Sequence, residues 1–373
     1  MECRCTYVSI SHKSLWRWCR ANREKNLSIC SRVSEGVSLM GAARSTFKRL
    51  TAMSILIWSP LNLGSQAREP ESQYRLARRN EKIVSSQTFR MGGATIQVDF
   101  ASGNLDVDST TILRWIQNAA HAVTVFYGRF PVQRARVLIV PVSSEQSSIH
   151  GTTWGNVEGF PGLTRMRLGQ HVTERDLSED WTMTHEFVHL AFSSLPDSQH
   201  WMEEGLATYV EPIARAQAGQ LSPEQVWRGM VLGMPQGEPE PGDRGLDRTR
   251  SWGRIYWGGA MFCLVADVTI RRQTHNSKGL QDALRAIVAA GGTIDKEGPL
   301  VQVLKIGDRA TGTTVLVEMY KNWSGSPSRV DLPSLWAELG VHSNKNRIVF
   351  YPDASLARIR DSITTRTPLV SAN

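Results

Sequence analysis

The chain has few cysteines where they could staple a fold, no long apolar run in its leader, and almost no excess of charge once that leader is set aside. Of five cysteines, Cys3, Cys5, Cys19 and Cys30 precede Met40, which leaves Cys263 alone in the remaining 334 residues. A lone cysteine closes no internal disulfide, so the fold must be held by its core or by a metal. Cys3-x-Cys5 with Cys19 and Cys30 matches no closed structural zinc spacing. The net charge of +8 is equally uneven. Residues 1–67 hold ten Lys/Arg against three Asp/Glu, and the rest holds 33 against 32. A nucleic-acid partner, which calls for a basic face on the folded part, is therefore not expected. No internal repeat or low-complexity tract is large enough to change the class. With 41% hydrophobic and 21% charged residues, the composition is that of a soluble globular protein.

The leader reads as two segments. From Met40 onward a basic stretch (Arg44, Lys48, Arg49) precedes an apolar run around Met53 to Leu63 and a small-x-small ending at Ser65, Gln66 and Ala67. That order is a secretory signal peptide over 40–67 with cleavage after Ala67, and it implies a periplasmic or secreted protein. The apolar run is shorter than the roughly 20 residues that cross a bilayer and is broken by Ser59-Pro60, so no stable membrane anchor is expected after processing. Residues 1–39 then read as an upstream extension of the frame. A basic, Trp-rich arm or a transit peptide are the alternatives, and Glu2, Glu24 and Glu35 weigh against the transit peptide.

Residues 68–86 are polar and read as a linker. A fold then begins near Phe89. FRMGGATIQVDF alternates like a strand, DSTTILRWIQNAAHAVTVFYG spaces its apolar residues like a capped helix, and ARVLIVPV is a short buried strand. GTTWGNVEGF and LTRMRLGQH read as two further strands joined through Phe160-Pro161-Gly162. Helical spacing dominates afterwards, over 177–194, 201–218, 223–232, 252–273, 278–290, 310–323 and 333–339. Strands first and helices after define an α+β class, with a small N-terminal mixed sheet and a mainly helical C-terminal part. The division falls into a core over 87–250 and a helical part over 251–373 that completes the site. The Pro- and Gly-rich stretch 234–252 is the longest break in the pattern, of a length that tends to be functional or disordered.

THEFVHL, residues 184–190, carries the chemistry. On a helix, His185 and His189 lie four apart on one face and can direct both imidazoles at one ion, with Glu186 about 100° round and within reach of a water beside that ion. Such a pair suits Zn²⁺, but HExxH by itself also occurs by chance. A catalytic zinc site needs a third protein ligand and an open fourth position. WMEEGLATYVE, residues 201–211, supplies Glu204. Pro196 and the turn formers of FSSLPDSQH would fold its helix back against the histidine pair, with Glu203 pointing elsewhere.

HEFVH followed by WMEEGLATY resembles the gluzincin (peptidase MA-like) zinc metallopeptidases, in which a W-x-x-E-G-[FL]-A segment follows HExxH and its Glu before Gly is the third zinc ligand. A third signature of that group is a Tyr followed by a Lys-Gly pair; IYWGGAMFCLVADVTIRR offers Tyr256, with Gly258 in place of the Lys. SKGLQDALRAI, DLPSLWAELGV and the stretch around Asp353 to Ile363 are closest to the glycyl aminopeptidase-like members. The resemblance covers roughly residues 90–365 and implies a zincin-like catalytic domain. It also departs from the pattern: His189 and Glu204 are closer in sequence than in the aminopeptidase N type, and a GxMEN exopeptidase motif is missing. GNVEG offers only Glu158 in a comparable place.

The implied activity is hydrolysis of a peptide or protein substrate by a metal-activated water. His185, His189 and Glu204 would be metal ligands, and Glu186 the general base. Tyr256 would donate to the developing oxyanion, with His200 the next candidate for that donor. Glu211, seven residues beyond Glu204, would be either an acceptor for a ligand imidazole or an exposed carboxylate. The alternative is a zinc-binding protein of the same fold without turnover, acting as an envelope binding module, which the glycine at 258 permits.

Overall fold

A computed structural model describes residues 81–143, 148–344 and 347–365. The 1–39 extension, the 40–67 signal peptide and most of the 68–86 linker lie outside the described residues. The first strand, β1 (Ile83–Met91), starts within that linker segment. It is an edge strand with almost every side chain exposed, so its composition reads like a linker although its backbone pairs with β2 along its length, apart from a register shift at Val84.

What reads as one strand from Phe89 is a hairpin. β1 turns through Gly92-Gly93 into β2 (Ala94–Ala101), and both glycines have positive φ, 55° and 83°. Positive φ at both central residues is the two-residue turn that matches strand twist. Helix α1 (Ser109–Tyr127) follows, capped by Asp108, whose carboxylate accepts the Thr111 N–H at 2.9 Å. Then come β3 (Arg134–Val142), β4 (Ile149–Val157) and β5 (Phe160–Gly169). The turn between β4 and β5 lies at Glu158-Gly159, with φ of 51° and 78°, so Phe160-Pro161-Gly162 belongs to β5 and is not the connection.

The sheet order is β1-β2-β3-β5-β4, with β2, β3 and β5 parallel and the edges β1 and β4 antiparallel to their neighbours. It is the expected mixed sheet. Ile96, Val98, Val137, Ile139, Met166 and Leu168 turn one face toward the helices, and Ile112, Ile116 and Val123 of α1 join them in one core. The other face carries a small cluster of Ala101, Leu138 and Val140 and the Arg136–Asp99 ion pair at 2.6 Å.

The helical part is α2 (Glu174–Glu179), α3 (Thr182–His189), α4 (His200–Gln217), α5 (Pro223–Gly233), a π-helical turn (Arg254–Gly258) running into α6 (Gly259–Gln273), α7 (Leu280–Ala289), α8 (Leu300–Thr311), α9 (Val315–Trp323), α10 (Leu332–Leu339) and α11 (Ala357–Thr364). The helix expected over 177–194 is interrupted at Asp180, which is extended. Its carboxylate accepts from Met183 N–H at 3.1 Å and Trp115 Nε1 at 3.2 Å, so it starts α3 as a new helix. The segment expected over 310–323 splits because Gly312 ends α8 in the left-handed region and α9 restarts at Val315. Helices α8 and α11 and the hairpin β6 (Val341–Asn344) and β7 (Arg347–Phe350) were not anticipated.

One crossing sets the geometry of the site. A Cβ on Gly205 of α4 would lie 2.3 Å from Gly259 Cα, and one on Gly259 would lie 2.2 Å from Trp201 O. The α4 and α6 backbones therefore touch, as only paired glycines allow. This contact crosses the division drawn at residue 250, and it sets the π-helical turn bearing Tyr256 beside the helix bearing Glu204.

Candidate metal centre

Helices α3 and α4 are joined by residues 190–199, which reverse the chain through Pro196 and a 3-10 turn (Asp197–Gln199). The reversal brings Glu204 back onto the histidine pair. Glu204 Oε2 lies 3.1 Å from His185 Nε2 and 3.7 Å from His189 Nε2, and the three donor atoms fall within 4.8 Å of one another. A tetrahedral zinc with bonds of about 2.0–2.2 Å holds its donors about 3.3 Å apart. Two nitrogens and one carboxylate oxygen at these separations could serve as three of the four donors of that ion. Two of the donors are buried, His185 at 4% and Glu204 at 9% exposure, and His189 is partly exposed.

Glu186 sits beside these donors and outside their set. It is buried, and Thr153 of β4 donates a hydrogen bond from Oγ1 to its Oε2 at 2.7 Å. Burial pushes the Glu186 carboxyl up to about 7, against the pull of His185 and the Thr153 bond. Burial alone would lower both imidazoles. It takes His189 down to about 4, whereas at His185 the Glu204 hydrogen bond and charge prevail and the direction is upward. Glu204 resists its own burial because the surrounding histidines hold it well below the usual carboxylate range.

The remaining candidates separate. Tyr256 lies near the centre, its ring stacked on His185 at 6.3 Å and 20°. His200 is there too, with Nε2 3.2 Å from Glu204 Oε1 and Nδ1 3.0 Å from Glu203 Oε2. Glu203 is not among the three donors: its Oε2 meets His200, and its Oε1 accepts the Leu195 N–H at 3.0 Å, pinning the α3–α4 connection. Glu211 is buried, not exposed, but it pairs with Arg215 at 3.0 Å, while His185 Nδ1 has no hydrogen-bond partner. Neither alternative for Glu211 is met: it is buried, Arg215 donates to its Oε1, and among the described residues no hydrogen bond joins it to a ligand imidazole. Glu158 sits at the β4–β5 turn and is ion-paired with Arg136, so it is committed to the sheet.

No family model matches the sequence, and no curated protein is significantly similar to it. Solved structures do match. An aminopeptidase N family protein from Idiomarina loihiensis superposes with a TM-score of 0.51 at 13% identity, over 69% of this chain and 49% of that one. An M1 zinc metallopeptidase from Deinococcus radiodurans gives 0.42 at 15% identity, over 67% and 53%. The likeness is one of fold. The chain shares the α+β fold of the first of these and spans about half the length of either.

The strand β4 is what sequence reading missed at the site. A Cβ on Gly151 would come within 2.4 Å of Glu186 Cγ, and Thr153 Oγ1 lies 3.0 Å from Thr164 Oγ1 while holding the Glu186 carboxylate. Alternation puts Gly151 and Thr153 on one face of β4, but nothing local in GTTWGNV says that this face meets α3. Trp181 packs edge-on against His185 at 5.1 Å and was equally unmarked.

Proposed function

We propose that the chain is a zinc-dependent peptidase of the gluzincin type, closest to the glycyl aminopeptidase-like group, that acts in the periplasm or outside the cell. The observation that carries this reading is the convergence of His185, His189 and Glu204 with a buried carboxyl, Glu186, beside them and not among them. His₂Glu with an open position is a catalytic donor set, whereas structural zinc sites are closed by four protein ligands. When bound, zinc supplies the Lewis acidity that activates a water near neutral pH and polarises a carbonyl.

The residues of the chain do the rest. Glu186, with its carboxyl near 7, is matched to accept a proton from water and return it to a leaving amine. Thr153 occupies Oε2, which fixes the carboxylate and leaves Oε1 for the transfer. The Tyr256 phenol is the candidate donor to a carbonyl oxygen as it gains charge. A peptide has a ready place to lie: β4 is an edge strand, and an extended chain can add to its unpaired side by backbone hydrogen bonds.

The test is a digest of a peptide library by zinc-loaded wild type and by Glu186→Gln, with zinc measured in both. Cleavage by the wild type alone, at equal zinc content, is expected. A wild type that holds zinc and cleaves nothing would leave a binding module and overturn the proposal.

A further inference from the structure

Few large apolar side chains among the described residues are exposed, and one of them, Trp252, stands two ring contacts from the metal centre. It is 38% exposed and stacks on Tyr256 with ring centroids 5.4 Å apart and planes 25° apart. Tyr256 in turn stacks on His185. A tryptophan that leaves more than a third of its surface in water forfeits part of the burial that would stabilise it.

The segment that carries it is not loose. Arg254 pairs with Asp243 at 2.8 Å, and both side chains are almost fully buried. The Arg254 guanidinium also donates to Gly237 O. Asp247 accepts from Trp201 Nε1 at 2.7 Å and from the Tyr320 hydroxyl at 2.9 Å. A Cβ on Gly253 would meet Gln236 O at 2.1 Å, so the backbone beside Trp252 is itself packed. The 234–252 segment is therefore an ordered wall, and Trp252 is an aromatic surface held in place by bonds on both sides of it in sequence.

We propose that Trp252 is a specificity-determining residue: its open surface receives an aromatic side chain of the peptide substrate next to the scissile bond. This rests on the peptidase reading. An aromatic occupant is favoured over a cationic one because the charged residues within four positions of Trp252 are all arginines, Arg248, Arg250 and Arg254, and the first two are exposed. A rigid indole offers stacking at little ordering cost, worth roughly 3- to 10-fold in affinity for an aromatic over a small side chain.

The experiment reads binding without turnover. Two peptides that differ only in Phe or Ala at one position are titrated calorimetrically into zinc-loaded Glu186→Gln and into the same variant with Trp252→Ala or Trp252→Phe, with Phe placed in turn on each side of the susceptible bond. The Phe peptide is expected to bind roughly 3- to 10-fold tighter, with that ratio falling to near one in Trp252→Ala and surviving in part in Trp252→Phe. A structural role alone would weaken both peptides and leave the ratio intact. Equal binding of the two peptides, no binding of either, or a Phe preference that survives Trp252→Ala overturns the assignment. Failure of the peptidase reading shows separately, as binding without cleavage by the wild type.

Discussion

Replacing Glu186 by glutamine should stabilise the metal-free protein at alkaline pH while abolishing hydrolysis. The carboxyl is buried against His185, Glu204 and Thr153, and its folded pKa is raised from 4.5 to about 7. A group raised on folding contributes its stability fully below the unfolded value and loses it as pH climbs through the folded one. Between about pH 4.5 and 7 the wild type therefore gives up this contribution. Two and a half pKa units at 1.36 kcal/mol each amount to about 3 kcal/mol, an order-of-magnitude figure. Glutamine keeps the shape and can still accept the Thr153 hydroxyl, but it has nothing to ionise. Urea unfolding of the chelator-treated proteins should give similar midpoints for the two near pH 4.5 and a lead of about 3 kcal/mol for Glu186→Gln at pH 8. Titrating groups that do not interact with Glu186 are common to both chains and cancel in the difference, whereas His185, whose imidazolium the Glu186 charge favours, does not cancel and reduces the lead. Zinc should shrink the lead, since a nearby cation favours the carboxylate. A difference that does not change with pH, or a wild type more stable than the variant at pH 8, would show that Glu186 is not held in the environment described.

Four further outcomes are expected. His185→Ala, His189→Ala and Glu204→Ala should each lose zinc by metal analysis, whereas Glu203→Ala should keep it and lose about 1 kcal/mol of stability, because the Leu195 N–H forfeits its acceptor. Tyr256→Phe should keep zinc and lower kcat by up to ~10²–10³ with little change in KM, if its hydroxyl meets the developing oxyanion. Gly151→Ala should hold zinc yet lose ~10² or more in turnover, since the new methyl takes the space of the Glu186 side chain and displaces the base. Protein recovered from an extracytoplasmic fraction should begin at Arg68 by N-terminal sequencing; a start at Met1 would refute the signal-peptide reading.

Much of the local structure is legible in the chain, and its failures share causes. Helix α1 declares itself through Asp108 and its apolar spacing, and THEFVHL and WMEEGLATYVE fall on helices as their patterns predict. The errors lie where a boundary depends on one residue. Asp180 halts a helix whose apolar spacing would carry on, because its carboxylate serves Trp115 and Met183. The strand read through Gly92-Gly93 ignores that both glycines take positive φ. β1 resembles a linker because an edge strand needs only a backbone partner.

The sequence by itself determined the chemical inventory: two histidines on one helical face, a carboxylate between them, a second carboxylate before a glycine, and a tyrosine followed by two glycines further on. These follow from spacing, because a helix converts positions four apart into neighbours. Only the tertiary structure decided what surrounds them. Gly205 meets Gly259 across 54 positions of sequence, and that contact stations Tyr256 beside His185. Thr153 and Gly151 reach Glu186 from a strand more than 30 residues upstream, Arg215 pairs with Glu211, and Asp243 with Arg254 fixes the wall that bears Trp252. Each is a contact between elements whose separate patterns are complete without it. Periodicity shows which face of an element is buried, and packing alone selects its partner.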